Sequence, residues 1–228
     1  MHTISNFYLR LDAPYPLPLF SKPQFPPPTD EDMKEYLDQM PHLKRTYPVA
    51  ELGSRYAEMN RGVVRVDVCV PGYKLRQMQR KANELLVGNR APEGNSKGGS
   101  TDDRVKLSRQ DVLTAWIVMA LNKVLESPIE TLTNAASYRN LNVPFADANL
   151  AGNEIYIAKC PPWPAQLSNN LCGLALTIHN SISESRKAEN LRRWMSVASH
   201  AMLEASNTDH SMFFEVVPGM MTVNSQLS

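Results

Sequence analysis

The sequence predicts an α/β fold, and three observations carry that expectation. Residues 63–70 set β-branched side chains against polar ones at alternate places. A capped, strongly apolar helix starts after Ser108. The helices and strands that follow come in a mixed order, with two consecutive helices between strands, which a purely parallel sheet does not accommodate. The 228-residue chain is long enough for one large domain, or for a domain with part of another, and its 43% hydrophobic residues suit a packed core.

In chain order, Pro14, Pro16, Pro18, Pro23, Pro26, Pro27 and Pro28 remove backbone donors and fix φ. The opening segment is therefore expected to run extended over a surface, as a crossover or linker does. A short polar helix over 30–39 is expected before Pro41, and otherwise residues 1–60 should carry little regular structure. Val63-Val64-Arg65-Val66-Asp67-Val68-Cys69-Val70 reads as a half-buried strand closed by Pro71-Gly72. Leu75, Met78, Ala82, Leu85 and Leu86 then mark an amphipathic helix over 73–86. The Gly-, Asn- and Ser-rich stretch 88–103 is a loop without the Gly-Lys-Ser/Thr ending that binds nucleotide phosphates.

Ser108-Arg109-Gln110-Asp111 has the spacing of a capping box, in which Ser108 and Asp111 each bond the other's backbone N–H. The helix that follows, to about residue 126, is apolar on nearly every side. It is expected to be the central buried helix, with Trp116 and Ile117 against the sheet. Strands are expected over 129–137 and 154–158, with an irregular loop over 139–153 between them. Two amphipathic helices come next. Leu167, Leu171, Leu174, Ile178 and Ile182 form the stripe of the first, and Leu191, Met195, Ala198 and Met202 that of the second. Strand-like runs at 212–217 and 221–223 meet through Pro218-Gly219.

Composition excludes several functions. A net charge of +1 with no block of Lys and Arg offers nucleic acid no basic face. The longest apolar stretch, 112–125, is too short for a bilayer and is broken by Thr114, Asn122 and Lys123, so no membrane partner is expected. No secretion signal opens the chain, and a cytoplasmic location is expected. Cys69, Cys160 and Cys172 share no metal-ligand spacing and read as free, mostly buried thiols. Cys172 and His179 stand two helical turns apart, about 10 Å, too far to form a nucleophile–base pair.

What remains is resemblance. Leu107-Ser108-Arg109-Gln110-Asp111-Val112-Leu113-Thr114-Ala115-Trp116-Ile117 resembles the "S-x-x-D-x-L-x-A-x-[VI]" stretch of BAHD-type acyl-CoA-dependent acyltransferases. Ser137-Tyr138-Arg139 followed by Gly152-Asn153 is similar to that family's Arg turn and its loop ending in Gly-Asn. Pro16-Leu17-Pro18-Leu19-Phe20 resembles the crossover between its two lobes. Met221-Thr222-Val223-Asn224-Ser225-Gln226 resembles the strand before its Asp-Phe-Gly-Trp-Gly signature. Fungal members related to trichothecene acetyltransferases are the most similar in loop style.

The resemblance implies the chloramphenicol acetyltransferase-like fold, mostly its second lobe, with residues 1–60 as crossover and 61–228 as a partial C-terminal lobe. It implies acyl transfer from acyl-CoA, as a co-substrate, to a hydroxyl or amine acceptor in secondary metabolism, with no covalent intermediate, no bound cofactor and no metal. The family's HxxxD element falls on His2-Thr3-Ile4-Ser5-Asn6. His2 matches the base, whose imidazole titrates near working pH. Asn6 replaces the Asp and cannot give Arg139 a charge-assisted bond. Arg139, Gly152 and Asn153 are the implied structural supports. Read without the family, His2 is a solvated terminal side chain, Arg139 a surface charge and Gly152-Asn153 an ordinary turn. The strand that precedes the family's His has no counterpart, nor has Asp-Phe-Gly-Trp-Gly, so the expectation is a weakly active or inactive chain. The alternative is a non-catalytic remnant that binds a ligand or partner.

Overall fold

The computed structural model describes residues 9, 12, 19–20, 23–39, 45–88, 105–151, 154–213 and 218–224, and it is an α/β assembly of six helices and two small sheets. The helices are α1 (Asp30–Gln39), α2 (Val49–Met59), α3 (Gly72–Gly88), α4 (Arg109–Leu121), α5 (Leu171–Ser185) and α6 (Ala188–Asn207). The strands are β1 (Thr46–Pro48), β2 (Thr131–Ser137), β3 (Ile155–Cys160), β4 (His210–Met212) and β5 (Met220–Asn224). β1 and β4 form an antiparallel pair. The main sheet has the order β3-β2-β5, antiparallel between β3 and β2 and parallel between β2 and β5, so it is mixed as expected.

One face of the sheet makes the core. Leu132 and Ala136 of β2 stand opposite Cys160 and Tyr156 of β3 on that face. Leu132 and Cys160 pack with Val112, Ala115 and Val118 of α4 and Leu174, Ala175 and Ile178 of α5. Tyr156 and Ala158 pack with Leu191, Trp194, Val197 and Ala198 of α6, and Tyr156 meets Trp194 edge-on at 6.0 Å between ring centres. Cys172 is also buried, its thiol donating to Ala82 O at 3.4 Å and tying α5 to α3. Burial pushes the Cys160 and Cys172 thiols above the ordinary thiol range. Just before β5 stands Gly219, whose φ of 75° suits glycine. Its carbonyl accepts from the amides of Glu130 and Thr131 and so sets β5 beside β2.

The capping box forms as expected. Asp111 N–H donates to Ser108 Oγ at 3.1 Å, and Ser108 N–H donates to Asp111 Oδ2 at 2.7 Å. Several expectations need correction. Residues 63–70 belong to no strand: Val63, Val64, Val66 and Val68 are 67–80% exposed, and no described strand lies beside them to meet their alternating pattern. Helix α4 ends at Leu121, short of residue 126. Asn122 breaks it by bonding both the amide and the carbonyl of Ile129. Trp116 is 37% exposed and stands outside the core, which takes the Val112, Ala115 and Val118 side of α4 instead. Met202 is exposed, since α6 buries Trp194, Val197, Ala201 and Ala205. The polar helix at Asp30–Gln39 is present, but residues 1–60 also hold β1 and α2, against the expectation of little regular structure there.

Candidate functional site

His2, Asn6, Gly152 and Asn153 lie outside the described residues. Arg139 lies within them, two residues beyond the end of β2. Its Nη1 donates to Ala148 O at 3.2 Å and, more closely, to Leu150 O, and its Nη2 is 3.7 Å from Glu154 Oε1. The guanidinium therefore turns onto the 147–150 loop instead of standing out in solvent. That loop also receives the N-terminal segment. Leu19 N–H donates to Asn149 O at 2.8 Å, and Ala151 N–H donates to Leu19 O at 2.6 Å. Arg139 thus anchors the turn against which the Pro-rich segment docks.

Glu154 is the less obvious member of this cluster. It is nearly fully buried, and neither carboxylate oxygen has a hydrogen bond. Burial pushes its carboxyl above the ordinary carboxylate range, against the pull of Arg139. Sequence reading placed Glu154 only as the start of a strand. No periodic signal marks a carboxylate that faces an Arg fifteen positions earlier.

A second polar pair was also missed. His179 Nδ1 is 3.0 Å from Asp111 Oδ2, joining α5 to the N-terminus of α4. Asp111 is therefore both a cap and a partner for imidazole. The one signal was that His179 follows Ile178, a residue of the buried α5 stripe, and so lies at the margin of that face. Such a carboxylate–imidazole pair holds the ring's orientation.

A groove of about 560 Å³ runs along the outer edge of β3. Tyr36, Ile157, Lys159, Thr177, Asn180 and Trp194 are among the residues that line it. Among the described residues, no three of His, Cys, Asp and Glu converge as metal ligands, and no helix is long and apolar enough to cross a membrane. No family model matches the chain. A search of curated proteins gives no match either.

Proposed function

We propose that this chain is the crossover and second lobe of a CoA-dependent acyltransferase of the chloramphenicol acetyltransferase-like fold. It would move an acyl group from acyl-CoA to a hydroxyl or amine, with His2 taking the acceptor's proton and no covalent intermediate on the protein. The observation that carries this reading is Arg139. The resemblance gives that Arg a structural role near the base. Arg139 bonds the backbone of the loop that also holds Leu19, thirteen residues beyond Asn6 on the segment that carries His2. Support also comes from the Ser108–Asp111 capping box within the best-matching stretch and from the mixed sheet.

On this reading turnover depends on both lobes. General-base help is worth about 10²–10⁴ in rate, whereas substrate positioning supplies about 7–11 kcal/mol and needs walls from a first lobe. Replacing Asn6 with Asp therefore restores little by itself. The test is thiol release from a panel of acyl-CoAs with alcohol and amine acceptors. The chain is assayed alone and then extended by the coding sequence that flanks it. Turnover in the extended protein that His2→Ala abolishes is expected. Flanking sequence with no strand before His2 and no Asp-Phe-Gly-Trp-Gly after Ser228 would overturn the assignment.

One observation favours the second reading, a non-catalytic binding protein. The β3 groove brings Tyr36, Tyr156 and Trp194 together with Lys159, and no histidine is among its described lining residues.

A further inference from the structure

We propose that residues 63–70 of one copy of this chain add as a strand to the free edge of β3 in another copy, setting Asp67 of the first against Lys159 of the second. The donor half is visible in the exposed run. Val63, Val64, Val66 and Val68 are 67%, 80%, 79% and 71% exposed, on a stretch that belongs to no sheet. A run of exposed β-branched side chains outside any sheet seeks a strand edge. Among the described residues, the ionic tie along it is Arg65 to Asp67 at 2.8 Å, with both side chains more than three-quarters exposed. Such a pair is cheaply exchanged.

The acceptor half is the β3 edge. β3 is the terminal strand of its sheet among the described residues. Tyr138 N–H donates to Glu154 O, directly opposite, at 3.1 Å. The antiparallel alternation then turns the backbone groups of Tyr156, Ala158 and Cys160 toward β2 and those of Ile155, Ile157 and Lys159 outward. No described backbone bond occupies that outer side of Ile157 or Lys159. Pro161, next in the outward set, has no N–H and ends the edge.

Faces and charges then agree in one antiparallel register. With Asp67 opposite Lys159, Cys69 falls opposite Ile157. Val66 and Val68 fall opposite Cys160 and Ala158, on the apolar side that carries Trp194 and Tyr36. Lys159 is half-buried, and burial alone lowers its ammonium below the ordinary lysine range, because no described acid pairs with it. The two carboxylates at the groove's rim are engaged elsewhere: Glu35 with Arg193 at 2.7 Å and Glu184 with Lys187 at 2.6 Å. A carboxylate brought in on the added strand would supply Lys159 with its missing partner. Reciprocal exchange between two copies pairs both edges.

Sedimentation of the full chain across about 1–300 μM tests this. Concentration-dependent association is expected. Asp67→Lys and Lys159→Asp should each weaken it by about tenfold or more through like-charge apposition. The double variant should return to within about threefold of the starting affinity, a rescue that misfolding would not produce. A synthetic peptide of residues 62–71 with Cys69→Ser should compete and shift the amide resonances of Ile157 and Lys159. The same peptide N-methylated at Asp67 should do neither. A chain that stays monomeric over the whole range overturns the proposal. So does association that both single charge reversals leave intact. Dissociation by glutarate together with full activity of the N-methylated peptide also overturns it, since the edge would then hold a small anion and not a strand.

Discussion

Replacing Asp111 with Ala tests whether one carboxylate ties α4 to α5. Asp111 Oδ2 accepts from Ser108 N–H at 2.7 Å and lies 3.0 Å from His179 Nδ1, while the side chain is only 6% exposed. Losing half of the capping box costs about 0.5–2 kcal/mol. Leaving His179 without its partner costs about 1–3 kcal/mol, toward the lower end because its ring is 27% exposed and can hydrate. The expected loss is therefore about 2–4 kcal/mol. For a chain of this size, with a urea slope of about 2–3 kcal/mol/M, the midpoint should fall by about 1 M. Tryptophan fluorescence and far-UV circular dichroism should report it together. Asp111→Asn, which keeps an oxygen for Ser108 N–H, should lose about half as much. The reasoning fails if Asp111→Ala costs less than about 1 kcal/mol. It fails equally if its effect simply adds to that of His179→Ala in a double-mutant cycle, because groups in direct contact must couple.

Arg139→Met should destabilise by about 2–4 kcal/mol, since it frees the Ala148 and Leu150 carbonyls and strands a buried carboxylate at Glu154. Adding Glu154→Gln should recover part of that loss in thermal melts, and no recovery would show that Glu154 is not burdened by its charge. Glu154→Gln alone should stabilise the protein at pH 7. The Glu154 carboxyl is raised in the folded state, so its penalty is present above the folded pKa and disappears as pH falls below the unfolded value of about 4.3. The opposite sign holds at Asp32, whose carboxyl is lowered chiefly by its hydrogen bond from Arg193 Nε at 2.7 Å. Its contribution is present above about pH 3.9 and is lost as pH falls through the depressed folded value. Amide exchange in Asp30–Gln39 should therefore accelerate at acid pH, and Arg193→Met should produce the same release at pH 7.

Local chemistry was legible in the sequence where a residue's partner is close along the chain. Ser108 and Asp111 cap one another three positions apart, and the stripe of α5 follows from spacing alone from Leu171 on, whereas Leu167 lies in a separate short turn at Ala165–Asn169. The same logic misread residues 63–70. Alternation states which side chains share a face, but it does not supply the neighbouring strand that makes the face buried. In α4 nearly every position is apolar, so periodicity could not choose a side, and Trp116 went to the wrong one. The helix Val49–Met59 was hidden by the Pro-rich context, although Pro48 stands at its N-cap, where its ring is tolerated. In the candidate site, Arg139 stood out only through the family resemblance, since its place after a strand by itself reads as a surface charge. The His179–Asp111 contact spans sixty-eight positions and Lys159's isolation depends on where every acid ends up, so neither had a local signature.

The burial of two of the three thiols gives the chain a chemical property of its own. Cys160 and Cys172 are enclosed and held protonated by their surroundings, whereas Cys69 lies exposed among the valines of residues 63–70. Thiol chemistry on the folded protein is therefore confined to one position. A maleimide dye should attach with a stoichiometry of one under native conditions and of three once the chain is unfolded. The native protein thus carries a ready site for a single fluorophore or spin label, with no cysteine to remove, and that site lies within the segment whose surroundings most need reporting.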